Sequence, residues 1–140
     1  MPERALEEFP SKLLRPKSGT LYLGGESPSI GIELEPFTID DEEVDQSIDF
    51  RLEISASEPS DLIGRTFEFP SNPEDGYVEG SIYIWNAHNP IDLHSVAIGQ
   101  QTEAAIPATL DMTFVFEFEG DRKNLRHQFT LPLKIERRES

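Results

Sequence analysis

The sequence predicts an all-β fold, a single-domain antiparallel β-sandwich of about eight strands. Residues 111–119 and 125–135 each alternate apolar and polar side chains with a period of two, the pattern of strands with one buried and one solvated face. Most of the remaining chain repeats this alternation, and turn-forming residues separate the runs. No segment carries apolar residues at helical spacing over the length of a long helix.

The chain begins with residues 1–18, whose three prolines leave room for only a turn or two of helix. We predict that these residues form a short N-terminal arm lying on a β domain that spans residues 19–140. The first two strands of that domain are short alternating runs at 20–23 and 30–34. An acidic stretch at 40–45 follows them and is predicted to be a loop.

The middle strands are predicted at 48–54, 63–69 and 77–85, and the first of these alternates most clearly. The third differs from the others because both of its faces carry large side chains. Its two faces carry, respectively, Val78, Ile82 and Ile84, and Tyr77, Tyr83 and Trp85. A strand that is apolar on both faces is either central in a sheet or covered on its second face.

The last strands are predicted at 91–98, 111–119 and 125–135. Apolar side chains in the first of these change parity partway along, so a β-bulge is predicted at residues 94–95. Three phenylalanines in the second share the apolar parity and are predicted to be core residues, namely Phe114, Phe116 and Phe118. The sandwich would be immunoglobulin-like or jelly-roll-like. A closed barrel is the second choice, because alternation does not show whether the edge strands meet.

The charge is strongly negative and unevenly distributed, with a net value of −15 at pH 7. Between residues 26 and 119, only Arg51 and Arg65 oppose twenty-one acidic residues. Such a field repels nucleic-acid phosphates and anionic membrane surfaces, so we expect neither as a partner. It attracts basic proteins, and it also serves solubility by keeping the strand edges of neighbouring molecules apart.

The sequence contains no cysteine, which excludes disulfides, Cys-ligated zinc, iron–sulfur clusters and thiol catalysis. No apolar run reaches the roughly twenty residues that cross a membrane, and the start of the chain lacks the apolar core of a signal peptide. We therefore expect a cytoplasmic protein without a cofactor. No nucleophile motif and no phosphate-binding glycine loop is present, which argues against an enzyme.

The best candidate for a binding surface is the aromatic face of the strand at 77–85. Tyr and Trp side chains combine a large apolar area with a polar tip, which suits protein and sugar recognition. The candidate partner-binding residues are Tyr77, Glu79, Tyr83, Trp85 and Glu68. Two alternatives stay open. The N-terminal arm covers this face with Phe9, Leu13 and Leu14, or a second copy of the chain covers it as a homodimer.

The second candidate site is a histidine-containing segment, whose candidate metal ligands are His88, Asp92 and His94. Asp92 and His94 project to the same side of an extended chain, and imidazole with carboxylate suits Zn²⁺ or Fe²⁺. Pro90 interrupts the alternation between His88 and Asp92, so the three side chains need not converge. The acidic stretch at 40–45 lacks the ligand rhythm and the glycine of a dedicated calcium loop.

These observations predict a non-enzymatic acidic β protein that binds another macromolecule. A basic protein is the expected partner, as for an antidote or inhibitor that neutralises a cationic target. The alternative is a small-ligand module. It would bind a sugar through the face of Tyr77, Tyr83 and Trp85, or a metal ion through residues 88–94.

Overall fold

The chain folds almost entirely into β-strands in this computed structural model, which describes residues 6–24, 27–70, 74–102, 105–118 and 122–137. The strands are β1 (Pro16–Leu23), β2 (Ser29–Leu34), β3 (Phe37–Ile39), β4 (Glu42–Val44), β5 (Ser47–Arg51), β6 (Thr66–Glu68), β7 (Val78–Ile84), β8 (Ala87–Ile98), β9 (Ile106–Phe114) and β10 (Leu125–Arg137). Only short 3₁₀ turns, at Ser11–Leu13 and Pro59–Asp61, interrupt them in the described ranges. The predicted all-β class is confirmed, and no described helix is long and apolar enough to span a bilayer.

One large sheet contains most of these strands, in the order β5-β2-β1-β10-β9-β8-β6. The long strand β8 pairs with β7 along its first part and with β6 along its second part. Strands β3 and β4 form a separate hairpin. Neighbouring strands are antiparallel, as predicted, except for β1 and β10, which lie side by side in parallel.

The sheet curls until its two ends nearly meet, which makes the architecture a nearly closed barrel. The ends meet at β5 and β7, whose facing edges form no ladder of backbone hydrogen bonds in these fully described strands. At Gly80 a Cβ atom would lie 3.1 Å from the carbonyl oxygen of Asp49 and 2.8 Å from the ring of Phe50. We call this line of contact the seam. This nearly closed sheet is nearer to the barrel, the second choice from the sequence, than to the sandwich that was the first.

The β-bulge predicted at residues 94–95 is confirmed. The register of β8 against β9 shifts between Leu93 and Ser95, which is where β8 also changes its other partner from β7 to β6. The shift restores the phase of the apolar residues, because Leu93 and Val96 are both buried.

One end of the barrel is covered by the connection that follows β5. The N–H of Leu52 donates to the carbonyl of Pro28, and the N–H of Ile98 donates to the carbonyl of Arg65, so this connection is tied to the ends of β2 and β8. Leu52, Ala56 and Leu62 in this connection are buried. The connection therefore closes the core at this end.

The opposite end, which we call the aromatic end, is covered by residues 6–14 and by the β3–β4 hairpin. Four rings pack there, those of Phe9, Phe37, Trp85 and Phe116. The Phe9 ring lies 4.5 Å from the Phe116 ring in a stacked arrangement and 6.2 Å from the Phe37 and Trp85 rings in edge-to-face arrangements. Such ring pairs add stability beyond the burial of their area.

The arm predicted over residues 1–18 is not confirmed as a separate unit. Its first five residues lie outside the described ranges, and β1 already begins at Pro16. Phe9 and Leu14 are only 3% and 2% exposed. The described part of this segment therefore belongs to the core of the barrel at its aromatic end.

The predicted core position of Phe118 is wrong, whereas Phe114 and Phe116 are fully buried as predicted. Phe118 is 76% exposed. Strand β9 ends at Phe114, and the N–H groups of Phe116 and Glu117 donate to the side-chain oxygen of Asn124 at 2.9 and 3.1 Å. The chain turns at this point, so the strand parity that buries Phe116 no longer applies two residues later.

The acidic stretch at 40–45 is not a loop, because it contains the turn and second strand of the β3–β4 hairpin. Asp40 and Asp41 form the turn with positive φ angles of 51° and 64°. Two residues with positive φ make the hairpin turn whose twist matches the strands, and aspartate is one of the few residues that tolerates it. Buried Phe37, Ile39 and Val44 hold the hairpin on the barrel.

Candidate functional site

The outward side of β7 carries three of the predicted partner-binding residues. Tyr77, directly before the strand, and Tyr83 are 38% and 39% exposed, and Glu79 lies exposed between them. Strand β7 alternates strictly between buried and exposed residues, so these three side chains form one solvated strip. Glu68 lies apart from the strip, exposed on β6.

Trp85 does not belong to this strip, although its parity in the sequence matches. The chain reverses at Trp85 and Asn86, whose φ angles of 58° and 60° make a two-residue hairpin turn. The Trp85 ring therefore packs at the aromatic end, 6.2 Å from Phe9 and 5.6 Å from Phe116. The N-terminal segment, offered above as a cover for the whole aromatic face, contacts Trp85 through Phe9 but leaves Tyr77 and Tyr83 exposed.

The structure does not gather His88, Asp92 and His94 into a metal-binding group. The His88 ring lies 5.0 Å from the ring of Tyr83 on the neighbouring strand. The Nε2 atom of His94 is 2.6 Å from the hydroxyl of Thr113 on β9. Within the described residues, no set of three or more His, Asp and Glu side chains is placed to hold a metal ion.

Asp92 lies directly opposite Glu79 in the register of β7 and β8, so the charge of Glu79 affects the pKa of Asp92. Burial, and then the negative charge of Glu79, raise the pKa of Asp92 above its ordinary value, against a smaller lowering effect of His94. Like charges at opposed positions of neighbouring strands repel each other. This pair therefore favours the arrival of a proton or of a positively charged group.

A polar depression, which we call the acidic trough, crosses the outer surface on both sides of the seam. Its larger part, of about 420 Å³, lies over β1, β2 and β5, and its smaller part, of about 300 Å³, lies over the seam itself. Ser47 and Asp49 line both parts, so the two are continuous. Among the described residues, no lysine or arginine lines either part, and the carboxylates that line them are Glu33, Asp45, Asp49 and Glu79.

The floor of the trough depends on Gly31 of β2. A Cβ atom at this position would lie 2.9 Å from Oδ1 of Asp49 and 3.3 Å from the ring of Tyr22. The carboxylate and the ring therefore converge over a position that has no side chain of its own. Beside them, the hydroxyl of Ser18 donates to Glu33 at 3.1 Å.

Three carboxylates of the trough, Glu33, Asp45 and Asp49, were not predicted as site residues from the sequence. The alternation of the strands at 30–34 and 48–54 already placed Glu33 and Asp49 on the solvated side. Their meeting with Glu79 depends on the strand order, which places β2 beside β5 and brings β5 to β7. Alternation alone carries no information about that order.

At the aromatic end, Asp40 is held by a guanidinium and by an indole N–H. The Arg122 guanidinium donates to both oxygens of Asp40 at 2.8 and 3.0 Å, and it lies 5.8 Å from the centre of the Trp85 ring. The Trp85 indole N–H donates to Oδ2 of Asp40 at 2.8 Å. The bond from Trp85, followed by that from Arg122, holds the pKa of Asp40 below its ordinary value.

No protein-family model, no curated protein and no solved structure matches this chain. The barrel and the acidic trough are therefore characterised by the residues of this chain alone.

Proposed function

We propose that this protein binds a basic protein through the acidic trough and neutralises or shields it, as an inhibitor or antidote does, without catalysing a reaction. The observation that carries this proposal is the lining of the trough. Glu33, Asp45, Asp49 and Glu79 face one continuous depression, and no lysine or arginine lines it in the part of the chain that the structure describes. Complementary charge speeds the encounter of two proteins and disfavours wrong partners.

The remaining lining of the trough favours a protein over a small ligand. Small-molecule sites are mostly enclosed and apolar, with a few polar groups that fix orientation. The trough is an open surface depression, and beside its carboxylates it offers the hydroxyl groups of Ser18, Ser47 and Ser81. Carboxylates and hydroxyls together bind the cationic side chains and backbone amides of a protein surface.

The strip on β7 extends this surface. Tyr77 and Tyr83 lie on the same side of the strand as Glu79, which lines the seam part of the trough. Tyrosine is enriched among the residues that dominate binding energies at protein interfaces, because it buries a large area and still forms a hydrogen bond. We therefore include Tyr77, Glu79 and Tyr83 in the proposed contact surface. Trp85 is assigned to the aromatic end instead.

The net charge of the chain supports the same partner class at longer range. A value of −15 on a chain of 140 residues generates a field that steers a cationic protein before contact. Salt screens such steering over about 8–10 Å at physiological ionic strength. The association rate of a true partner should therefore fall steeply as salt is added.

The experiment compares two variants with the same change in charge. In the first, the trough carboxylates are neutralised as Glu33→Gln, Asp49→Asn and Glu79→Gln. In the second, exposed acids outside the trough are neutralised as Asp41→Asn, Glu43→Gln and Glu53→Gln. Each immobilised protein is used to capture proteins from an extract. Captured proteins are identified by mass spectrometry, purified, and tested for association rate at low and high salt.

The proposal expects a basic protein that the wild type and the second variant retain and that the first variant loses. It also expects the association of that purified protein to slow as salt rises. Equal retention by the two variants would reduce the trough to an ordinary part of an acidic surface. An association rate that does not change with salt would remove the electrostatic basis of the proposal.

A further inference from the structure

Residues 6–9, which we call the strap, are held at the aromatic end of the barrel by one buried side chain. The Phe9 ring fills a socket formed by the rings of Phe37, Trp85 and Phe116, whose centres lie 4.5 to 6.2 Å away. Among the described residues, the strap pairs with the barrel at one isolated β-bridge and not along a strand ladder. It therefore docks as a short peptide does, through a side chain that enters a socket.

The strap and its docking place also match in charge. Glu7 lies 3.5 Å from a guanidinium nitrogen of Arg122, and Glu8 lies 3.9 Å from the ammonium nitrogen of Lys123. The backbone adds two bonds, because the N–H of Lys123 donates to the carbonyl of Glu7 at 2.9 Å and Arg122 donates to the carbonyl of Glu8 at 3.3 Å. Between residues 26 and 119 the chain has only two basic residues. The docking place thus suits an acidic segment that carries an aromatic ring.

Residues 10–13, which we call the hinge, connect the strap to the barrel through a tight local turn. The N–H of Leu13 donates to the carbonyl of Pro10, and the N–H of Leu14 donates to the carbonyl of Ser11, both at 3.0 Å. Pro10 is already extended, with φ −71° and ψ 101°. Extension of the turn that follows it would carry the strap outward by up to about 14 Å, the length of four extended residues. Leu14 is buried and keeps the chain after the hinge on its own barrel.

From these features we infer that two copies of this chain exchange their straps and form a dimer, in which each Phe9 fills the socket of the other copy. The strap makes the same contacts whichever copy donates it, so exchange preserves them. The strap is itself the segment whose fit to the socket the structure demonstrates, and this makes a second copy the partner. A short hinge favours exchange because it restricts the ways in which the strap can close on its own barrel. The inference is independent of the proposed function.

The mass of the full chain in solution gives the first test. The chain is refolded from denaturant at increasing protein concentrations and measured by size-exclusion chromatography with light scattering. Each copy carries a net charge of −15, so repulsion opposes the dimer and salt relieves it. The dimer fraction should therefore rise with protein concentration and with salt. A chain that stays monomeric at millimolar concentration and high salt would overturn the inference.

Changes in hinge length separate strap exchange from other modes of association. Deletion of Ser11 and Lys12 leaves too little chain for the strap to reach its own socket, so it should raise the dimer fraction. Insertion of Gly-Ser-Gly-Ser after Lys12 should lower the dimer fraction, because a longer hinge closes easily on its own barrel. The same dimer fraction in both variants, or changes of the opposite sign, would overturn the exchange.

A cross-link shows directly which copy donates the strap. The sequence has no cysteine, so Glu8→Cys in one chain and Lys123→Cys in another introduce one thiol each, at two exposed positions whose side chains face each other. The two chains are mixed, refolded together at high concentration and oxidised, and the linked peptides are identified by mass spectrometry. Exchange should join position 8 of one chain to position 123 of the other.

The matched control replaces the second partner by Glu53→Cys, which is exposed at the opposite end of the barrel. This pair should not cross-link, because exchange does not bring position 53 near the strap. Equal cross-linking of the two pairs, or a dimer without the link between positions 8 and 123, would overturn the inference.

Discussion

Asp40 at the aromatic end and Asp49 in the acidic trough are both exposed aspartates, but they have different surroundings. Asp40 accepts hydrogen bonds from the Trp85 indole and from Arg122, whose side chain is only 12% exposed. Asp49 lies over Gly31 in a depression whose described lining contains no lysine or arginine. At the aromatic end, the aspartate therefore links three separate segments of the chain. In the trough, the aspartate faces outward among other negative charges.

The difference separates a carboxylate that stabilises the fold from carboxylates that the proposed function assigns to a partner. At the aromatic end, Arg122 stabilises the fold, because it links the β3–β4 turn and the β7–β8 turn to the connection before β10. In the trough, Gly31 leaves space for the Asp49 carboxylate and the Tyr22 ring, whereas at the seam Gly80 leaves space for the buried ring of Phe50. Substitutions at the aromatic end should therefore affect stability, and those in the trough should affect binding.

The largest expected effect is at the centre of the aromatic end. Phe116 is fully buried against Phe9 and Phe114, and Phe116→Ala should lower the free energy of unfolding by about 3–5 kcal/mol. Phe118→Ala is the matched control, because this ring is 76% exposed, and it should change stability by less than about 0.5 kcal/mol. Chemical denaturation of both variants measures the difference. Equal losses would place Phe118 in the core after all.

The next effect concerns the N-terminal segment. Phe9→Ala removes a buried ring that contacts Phe37, Trp85 and Phe116, and it should cost about 3 kcal/mol. Trp85 is the only tryptophan, so its fluorescence reports the same contact and should shift to the red. Leu13→Ala, in the same segment but at a half-buried residue, should leave the emission unchanged. An unchanged spectrum in Phe9→Ala would mean that the tryptophan is covered by something else.

Replacing Asp40 or Asp49 should change the free energy of unfolding by less than the ring substitutions do, and the two changes should differ. Asp40→Asn weakens charge-assisted bonds to Arg122 and Trp85 at a half-exposed site, so we expect a loss of about 1 kcal/mol. Asp49→Asn removes one negative charge from a strongly acidic chain and should leave stability unchanged or slightly raised. Thermal denaturation at neutral pH decides between them. If both variants lose stability equally, the distinction between the two regions fails.

The smallest effects are pH-dependent and concern neighbouring strands. The hydrogen bond from Arg126 is the main cause that lowers the pKa of Asp111 on β9, so its contribution is present above the unfolded pKa and is lost as pH falls through the folded value. The pKa of Asp92 on β8 is raised, so its ionisation costs stability as pH rises from the unfolded value through the folded one. At neutral pH, Asp111→Asn should destabilise and Asp92→Asn should stabilise. Denaturation midpoints are measured at neutral pH and at a pH below the unfolded pKa of aspartate. Both differences should disappear at the acidic pH.

Local structure could be predicted from the sequence where one strand face is buried and the other is wet. The alternation of Ile48 and Phe50 with polar residues predicted β5, and the change of parity after Leu93 predicted the bulge in β8. Both features depend on the backbone period of two and on no distant contact. Both features could therefore be predicted without knowing which strands pair with β5 and β8.

Alternation failed where a turn ends a strand earlier than the pattern does. Trp85 and Phe118 both continue the parity of the strand before them, but Trp85 lies in a hairpin turn and Phe118 follows the turn held by Asn124. The acidic trough could not be predicted from the sequence for a different reason. Asp49 and Glu79 are thirty positions apart, and they meet only because the sheet closes at the seam.

The parallel pairing of β1 and β10 has a consequence for the way the molecule is made. β10 occupies the position between β1 and β9, so among the described strands it alone joins those of the first half to those of the second half in one sheet. During synthesis on the ribosome, β1 and β2 must wait for this strand with an unpaired edge exposed. Contacts between such distant parts of a chain make folding slow. We therefore expect the barrel to complete its fold only after β10 has been synthesised, with chaperones protecting the open edge until then.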